Sequence, residues 1–304
     1  MFWLSRPHRP TNVWAVTVLE VIQKSAEFLE HKGVDSPRLQ VELLLADLLQ
    51  MPRLKLYLEF ERVLTAEQVQ ALRERILQRG RRIPLQHLLG HTSFCGHDIE
   101  VNGDVLIPRP ETEQLAARAI GCLSDHPPDA PASQCALDFG TGSGCLAIAL
   151  AKALPSLHVD AIDVSAAALA VALRNIDRHQ LAGRVRLHQG DGFAALPSPR
   201  RYALLVSNPP YIPSGEIDAL QPEVRDHDPR GALDGGVDGL DFHRRLAAEA
   251  GPWLAADGVL MAEIGDGQDT SVRRVFEEAG WRGTDVFKDD NGIPRIFVAC
   301  RPHS

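Results

Sequence analysis

The fold is decided by Cys135-Ala136-Leu137-Asp138-Phe139-Gly140-Thr141-Gly142-Ser143-Gly144, where an apolar run meets a glycine-rich turn. Such a run predicts a buried strand, and the apolar residues that follow the turn predict a helix. The alternation recurs along the chain, with predicted strands at 135–139, 158–162, 185–188, 202–206, 259–264, 283–287 and 295–300. It predicts an α/β fold with a doubly wound, mainly parallel, seven-stranded sheet. The last strand follows a tight turn and is expected to be antiparallel.

The N-terminal part of the chain has a different pattern. Apolar residues recur there at helical spacing, and Thr65 with Gln68 forms a capping-box pattern at the start of one predicted helix. A hairpin is predicted next, because alternating apolar residues flank Gly96 and a tight-turn pair, Asn102-Gly103, follows. The predicted organisation is an N-terminal extension at 1–15, a small all-helical domain at 16–90, a hairpin linker at 91–107 and the α/β domain at 108–304.

Composition narrows the class of protein. The 304 residues carry a formal net charge of -8, which argues against a protein that grips nucleic acid through a broad basic field. The five cysteines form no Cys-x-x-Cys pair and the twelve histidines show no metal-binding spacing, so neither a disulfide framework nor a metal site is expected. No apolar run approaches the roughly 20 residues that span a bilayer. We therefore expect a cytoplasmic protein without a membrane segment.

Acidic residues follow the next two strands. In open α/β sheets, ligands bind at the carboxyl ends of the strands. Asp163 lies about 20 residues beyond the glycines, where an acid accepts hydrogen bonds from ribose hydroxyls. It could instead cap the following helix, although Ser165 can do so as well. Asp191 and Gly192 end the third strand, where Asp191 could accept an adenine amino group. The alternative is a turn that carries a core residue, Phe193.

The fourth strand ends in Val206-Ser207-Asn208-Pro209-Pro210-Tyr211. Proline cannot donate to a sheet ladder and pushes the preceding residue towards an extended conformation. The strand must therefore stop in a stiff turn that holds an amide and a phenol ring. Without its neighbours, this turn is equally well explained as a structural end to the strand. Beside the glycines and the two acids it predicts a binding site.

This order of strand ends resembles the class I S-adenosyl-L-methionine-dependent methyltransferases. A dinucleotide fingerprint would place its third glycine where Cys145 stands, so the glycine spacing fits the adenosyl-methionine turn better than an NAD site. The Asn208 to Tyr211 turn is similar to that of enzymes that methylate planar amide or amino nitrogens. Such a nitrogen is a poor nucleophile, and fixed acceptors can hold its N–H groups and aim it at a methyl group.

Further stretches resemble the bacterial peptide-chain release-factor glutamine methyltransferases. The resemblance covers roughly residues 16–301. It implies methylation at N5 of the glutamine in the release factor's Gly-Gly-Gln loop, and recognition of that factor by the helical domain. The matching stretches are Arg82-Ile83-Pro84-Leu85-Gln86-His87 with Gly90, Leu106-Ile107-Pro108-Arg109-Pro110-Glu111-Thr112-Glu113, Gln221-Pro222-Glu223-Val224, Asp228-Pro229-Arg230, Ala232-Leu233-Asp234-Gly235-Gly236 and Asp238-Gly239-Leu240.

The resemblance also implies roles for individual residues. Asn208, Pro209 and Tyr211 are expected to be catalytic: the Asn208 side-chain oxygen and the Pro209 carbonyl as acceptors, and Tyr211 as a stacking surface. With Pro210 they are expected to bind the substrate glutamine. The expected cofactor-binding residues are Gly140, Thr141, Gly142, Ser143, Gly144, Asp163, Asp191, Gly192 and Asn208. Gly192 departs from the family, because many members carry a tryptophan there beside the adenine.

Three alternatives remain open on the sequence. One is glutamine methylation of a large-subunit ribosomal protein, although those relatives tend to lack the Pro108 to Glu113 form seen here. Another is adenine-N6 methylation of DNA, which the acidic balance and the absence of a separate DNA-reading domain disfavour. We expect no direct sequence-specific binding to nucleic acid. The third is a cofactor-binding protein without turnover, against which the intact Asn208 to Tyr211 turn argues.

Overall fold

The chain divides into two units. The computed structural model describes residues 16–125, 135–197 and 200–301, so the predicted N-terminal extension at 1–15 lies outside the described residues. One unit comprises the residues up to Gly90 together with Pro222–His227, and the other comprises His91–Gln221 and the chain from Asp228 onward. The hairpin, which the sequence predicts as a separate linker, belongs to the second unit.

The first unit is helical. A capping box at Thr17 starts its first helix, and the predicted capping box at Thr65 and Gln68 starts the fourth. In both, the threonine hydroxyl accepts from a backbone N–H that the first turn of a helix leaves without a partner. The apolar faces of these helices meet in one core that includes the fully buried Ile22, Leu44 and Leu72. The helices are α1 (Val18–His31), α2 (Pro37–Leu48), α3 (Arg53–Leu56), α4 (Ala66–Gly80) and α5 (Leu85–Leu89).

The second unit begins with a hairpin of β1 (His91–Phe94) and β2 (His97–Glu100). Cys95 and Gly96 form its turn with φ values of +48° and +75°, the combination that matches the right-handed twist of paired strands. The predicted turn pair Asn102-Gly103 lies beyond the hairpin, where the Asn102 side chain accepts a hydrogen bond from the Asp104 N–H (2.9 Å).

The main sheet has seven strands in the order β5-β4-β3-β6-β7-β9-β8. Strand β9 is antiparallel to both of its neighbours, and the other pairs are parallel. The predicted fold class, a doubly wound and mainly parallel sheet together with an N-terminal helical region, is therefore confirmed. The strands are β3 (Cys135–Phe139), β4 (His158–Asp163), β5 (Val185–Gln189), β6 (Tyr202–Ser207), β7 (Leu254–Glu263), β8 (Arg282–Lys288) and β9 (Pro294–Cys300).

Strand β7 starts earlier than the sequence predicts, at Leu254 instead of 259. The residues that follow Leu254, which are Ala255-Ala256-Asp257-Gly258, lack an apolar alternation and resemble a loop. The structure pairs Leu254 with Tyr202 and absorbs the extra residues through a shift of register before Leu204. An irregular pairing thus extends the ladder through residues whose pattern does not predict it.

Helices cover both faces of the sheet. Alternate residues of β3 point into different cores, with Ala136 in one and Leu137 in the other. The chain moves outward from β3 to β4 and β5 and then returns to β6 on the other side, which places the topological switch point at β3. The helices are α6 (Pro110–Asp125), α7 (Cys145–Ala153), α8 (Ala166–Arg178), α9 (Pro222–Arg225, in the first unit), α10 (Asp241–Glu249) and α11 (Asp269–Glu278). None of the helices built from described residues is both long and apolar enough to cross a membrane.

Candidate active site

The glycine-rich turn after β3 is held in place by a buried carboxyl group. Asp138 accepts hydrogen bonds from the Thr141 hydroxyl (2.6 Å) and from the Ala147 N–H (3.2 Å) of α7. Burial raises the pKa of Asp138 to about 7, and these two bonds oppose the shift only in part. Gly142 has a φ of +54°, a conformation that L side chains rarely adopt, and a Cβ atom there would have no neighbour within 4 Å. The turn therefore borders open space.

A cavity opens beside this turn and collects the predicted strand ends. Gly140, Thr141, Gly142, Ser143, Asp163, Asp191, Gly192, Asn208 and Pro210 all line it. Gly144 lies next to the turn with a φ of +81°, and a Cβ atom there would press on Ala172 of α8 at 3.3 Å. Among the described residues, no cluster of histidine, cysteine, aspartate and glutamate could hold a metal ion.

Asp163 ties the first two strand ends together. Its carboxylate accepts from the Gly142 N–H and from the Ser165 N–H, both at 2.9 Å. Ser165, in turn, caps α8 by accepting from the Ala168 N–H (3.1 Å). The capping role considered for Asp163 thus falls to Ser165. Each carboxylate oxygen has a second lone pair, so Asp163 keeps acceptor capacity towards the cavity.

The third strand end differs from its predicted arrangement. The Asp191 carboxylate is largely exposed and pairs with Arg245 of α10. Phe193 is buried instead of facing the cavity, and its ring stacks on Trp253 with centroids 5.6 Å apart. Phe193 is therefore a core residue, which is the alternative that the sequence left open. The side chains at this wall of the cavity come from α10 and are Phe242 and Arg245.

Asn208 begins a buried chain of hydrogen bonds at the end of β6. Its Nδ2 donates to the Thr112 hydroxyl (2.9 Å), and that hydroxyl donates to Glu263 Oε2 (2.7 Å). The Tyr211 hydroxyl donates to the other oxygen, Glu263 Oε1 (3.1 Å). Sequence reasoning missed both Thr112 and Glu263. Glu263 ends β7, so the rule that ligands gather at strand ends could have found it.

This chain determines which way the Asn208 amide points. The Thr112 hydroxyl has one proton and donates it to Glu263, so it can only accept from Asn208 and must face the Nδ2 group. The Asn208 Oδ1 is thereby turned away from Thr112. Within the part of the chain that the structure describes, neither Asn208 Oδ1 nor the Pro209 carbonyl oxygen accepts a hydrogen bond. Two neighbouring oxygens at this turn are thus without a donor. Asn208 and Pro210 line the cavity, whereas Pro209 and Tyr211 do not.

Glu263 is an unusual residue for a core. Only 1% of it is exposed, and burial raises its pKa against the opposing hydrogen bonds from Thr112 and Tyr211. Two hydroxyl groups donate to its two oxygens, which is the pattern that suits an ionised carboxylate. Burial, together with this carboxylate, raises the pKa of Tyr211. The phenol therefore stays protonated and keeps its ring fixed beside Asn208.

Comparisons with known proteins agree with this geometry. Residues 20–90 match the family described as PrmC N-terminal domain, and residues 121–221 match the Methyltransferase small domain. A release factor glutamine methyltransferase from Geobacter sulfurreducens is 42% identical, over 93% of this chain and 96% of that protein. Another from Chlorobaculum tepidum is 39% identical over the same shares.

Solved structures resemble the fold at lower identity. The catalytic domain of human Mettl16, in complex with an RNA hairpin, gives a TM-score of 0.53 at 15% identity and covers 77% of this chain and 84% of that domain. A methyltransferase from Pyrococcus furiosus gives 0.50 at 18% identity, covering 69% of this chain and 92% of the other. The sheet, the strand-end cavity and the matching domain together define a methyltransferase. Within that class, the chain belongs to the release factor glutamine methyltransferase family.

Proposed function

We propose that this protein transfers a methyl group from S-adenosyl-L-methionine to N5 of the glutamine in the Gly-Gly-Gln loop of peptide-chain release factors. The observation that carries the proposal is a pair of adjacent acceptors without a donor, Asn208 Oδ1 and the Pro209 carbonyl oxygen, at a turn where Asn208 lines the glycine-rich cavity. A primary amide offers two N–H donors, and a protein side chain with that group is glutamine or asparagine. The family of the chain favours glutamine, and we place the reaction in the cytoplasm.

The cavity is suited to this cofactor. The open turn at Gly140 and Gly142 leaves room for close approach of a ligand to the backbone, and Asp163 retains acceptor capacity for ribose hydroxyls. When bound, S-adenosyl-L-methionine supplies an activated methyl group on a sulfonium. Gly140, Thr141, Gly142, Ser143, Gly144, Asp163, Asp191, Gly192 and Asn208 are the residues that we propose hold it.

The turn after β6 would orient the nitrogen. Asn208 Oδ1 and the Pro209 carbonyl accept its two N–H groups, and Tyr211 and Pro210 flank the planar amide. Both acceptors are fixed before the substrate arrives, Asn208 by Thr112 and the prolines by their rings. Positive charge would develop on the nitrogen as its lone pair takes the methyl group from the sulfonium, and the two oxygens would stabilise that charge. The surplus proton leaves from nitrogen to water.

A labelling experiment tests the substrate. The protein is incubated with methyl-labelled S-adenosyl-L-methionine and, in separate reactions, a release factor, large-subunit ribosomal protein and DNA. Label is expected on the release factor alone, at its Gly-Gly-Gln glutamine. Label on the ribosomal protein in place of the release factor would reassign the substrate, and label confined to DNA would contradict amide chemistry altogether.

A substitution tests the assigned role of the turn. Asn208→Ala should lower kcat by about 100-fold or more, the cost of removing one fixed polar partner of a transition state. Binding of S-adenosylhomocysteine, measured by calorimetry, should change far less. Asn291→Ala, in the exposed turn between β8 and β9 and outside the cavity lining, is the matched control. Transfer by Asn208→Ala at close to the wild-type rate would refute the proposed orientation of the nitrogen.

A further inference from the structure

Gly192 and Arg245 compete for the same space at one wall of the cavity. Gly192 has a φ of +64°, and a Cβ atom built on it would collide with the Arg245 guanidinium, at 2.7 Å from Cζ. A side chain at 192 and the observed position of Arg245 therefore exclude each other. The guanidinium fills the space into which a side chain at position 192 would project.

The guanidinium is fixed along its edges. Its Nη1 pairs with the Asp191 carboxylate, its Nη2 donates to the Asp191 carbonyl oxygen (3.1 Å), and its Nε donates to Glu249 (3.3 Å). The N–H bonds of a guanidinium lie in its plane, so these contacts use the edges, and with Gly192 close to one flat face they leave the other face without a hydrogen bond. Arg245 lines the cavity, and this remaining face is a planar, positively charged surface.

None of the described residues in the loop between β5 and β6 supplies a ring at this wall. Phe193 follows Gly192 directly, but it is buried against Trp253 and Phe139 and does not line the cavity. Arg245 does line it, one helical turn beyond Phe242 on α10. Guanidinium planes stack favourably on aromatic rings. On the proposed path of the cofactor, from the glycines past Asp163, the nucleobase reaches this wall.

We propose that the Arg245 guanidinium, fixed by Asp191, is the face on which the adenine of the cofactor stacks, and that Gly192 is required to admit it. This inference rests on the proposed function for the identity of the cofactor. It changes the role expected of Asp191, whose carboxylate holds Arg245 instead of receiving the adenine amino group. Arg245 is thus a cofactor-binding residue that replaces a ring on the loop.

Binding measurements without turnover test the proposal. The dissociation constants of S-adenosylhomocysteine and of S-inosylhomocysteine, which has an oxygen in place of the adenine amino group, are measured by calorimetry. The proteins are wild type, Arg245→Ala, Arg245→Lys and Arg244→Ala. Arg244 is the matched control, because it precedes Arg245 on the same helix and pairs with Asp238 outside the cavity lining.

Stacking predicts a specific pattern. Arg245→Ala should weaken both ligands by about 5- to 30-fold, the range of a partly desolvated cation–π contact. Arg245→Lys, which keeps the charge and loses the plane, should fall between, and Arg244→Ala should change binding by less than about twofold. Equal binding by Arg245→Ala and wild type would overturn the proposal. A loss restricted to the adenine ligand would overturn it too, because it would assign recognition to the amino group.

The same measurements separate this inference from the proposed function. If the wild-type protein binds neither ligand, the cofactor assignment itself fails. If the wild-type protein binds S-adenosylhomocysteine and Arg245→Ala binds it equally well, the cofactor assignment stands and only the role of Arg245 is lost.

Discussion

Single residues in this site act through the polarity of their neighbours. A primary amide is nearly symmetrical in shape, so packing alone would not distinguish the oxygen of Asn208 from its nitrogen. The Glu263 carboxylate makes the distinction through Thr112. It accepts the one hydroxyl proton of Thr112, so that this hydroxyl can only accept from the nitrogen of Asn208. Two residues outside the reacting turn thus decide whether the turn offers acceptors or donors. We infer that both are positioning residues for the proposed reaction.

Paired substitutions at Thr112 test this role. Thr112→Val removes the hydroxyl with little change of shape, and kcat should fall by about 10- to 100-fold, as expected for a misplaced catalytic group. Thr112→Ser keeps the hydroxyl and should retain most of the activity. Binding of S-adenosylhomocysteine should be similar in the two variants. Equal activity of the valine and serine variants would show that the hydroxyl does not orient Asn208.

Glu263→Gln tests whether the ionised carboxylate is needed, through the pH dependence of kcat. The carboxylate form is required, so activity should fall as pH drops through the pKa of Glu263, which burial raises above the usual value of about 4.3. Glu111 and Arg295 are the other charged groups that bear on it, in opposite directions. Glu263→Gln should have low activity and lack this acid limb. An unchanged pH profile of kcat in the variant would exclude Glu263 as its source.

At the scale of elements, the strand ends were predictable and the helix contacts were not. Apolar runs and glycines located β3 to β6, and the carboxyl-edge rule located Asp163 and Asn208. Arg245 lies about fifty residues beyond Asp191, and no local pattern tells which helix face returns to a given strand end. The grouping of Pro222–His227 with the first unit has no local pattern either, because it brings together residues that are far apart in the sequence, such as Glu223 and Arg79.

Ion pairs join α9 to the rest of the first unit. Glu223 accepts from Arg79 (2.7 Å) and from Arg82 (2.6 Å), and Arg79 is almost wholly buried. Burial alone would raise the pKa of Glu223, but the two arginines lower it to about 2. Its contribution to stability is therefore complete above the unfolded value of about 4.3 and is lost as pH falls towards about 2. Over the neutral range the pairs should remain intact.

Glu223→Gln should release this segment. The neutral amide leaves a buried guanidinium without its counter-charge, which costs on the order of 2 kcal/mol or more of local stability. Hydrogen exchange of the backbone N–H groups of residues 223–227, measured in the full chain, should accelerate by at least about tenfold. Glu278→Gln breaks an exposed pair with Arg274 and should leave that exchange unchanged. Unaltered exchange in Glu223→Gln would show that apolar packing alone retains α9.

For the whole molecule, buried carboxyl groups set how stability responds to pH. Asp138 with a pKa of about 7 and Asp228 with a pKa of about 6 both favour protonation in the fold, chiefly because they are buried. Such a group contributes fully to stability at pH values below its pKa in the unfolded chain, near 4. That contribution is lost as pH rises through its pKa in the folded protein. The contribution of these two residues to stability is therefore smaller at pH 8 than at pH 5.

Asp138→Asn should flatten this dependence. The amide oxygen can still accept from Thr141 and Ala147, and no charge has to be buried. The loss of unfolding free energy between pH 5 and pH 8, measured by urea denaturation, should shrink by about 2 kcal/mol relative to wild type. Asp257→Asn, at an exposed position, should leave the difference as it is. Identical pH dependence in Asp138→Asn and wild type would mean that Asp138 ionises without penalty.

The strand order has a consequence for self-association. Strands β5 and β8 are the outermost strands of the described sheet, and an outer strand is a template on which another chain can add. Exposed charges stand on both, Arg186 on β5 and Arg282, Asp285 and Lys288 on β8, and β8 also has shifts of register. Charged and irregular edges resist strand addition. Replacing Asp285 and Lys288 by valine should therefore increase light scattering of concentrated solutions, while the cavity, formed at the opposite half of the sheet, stays intact.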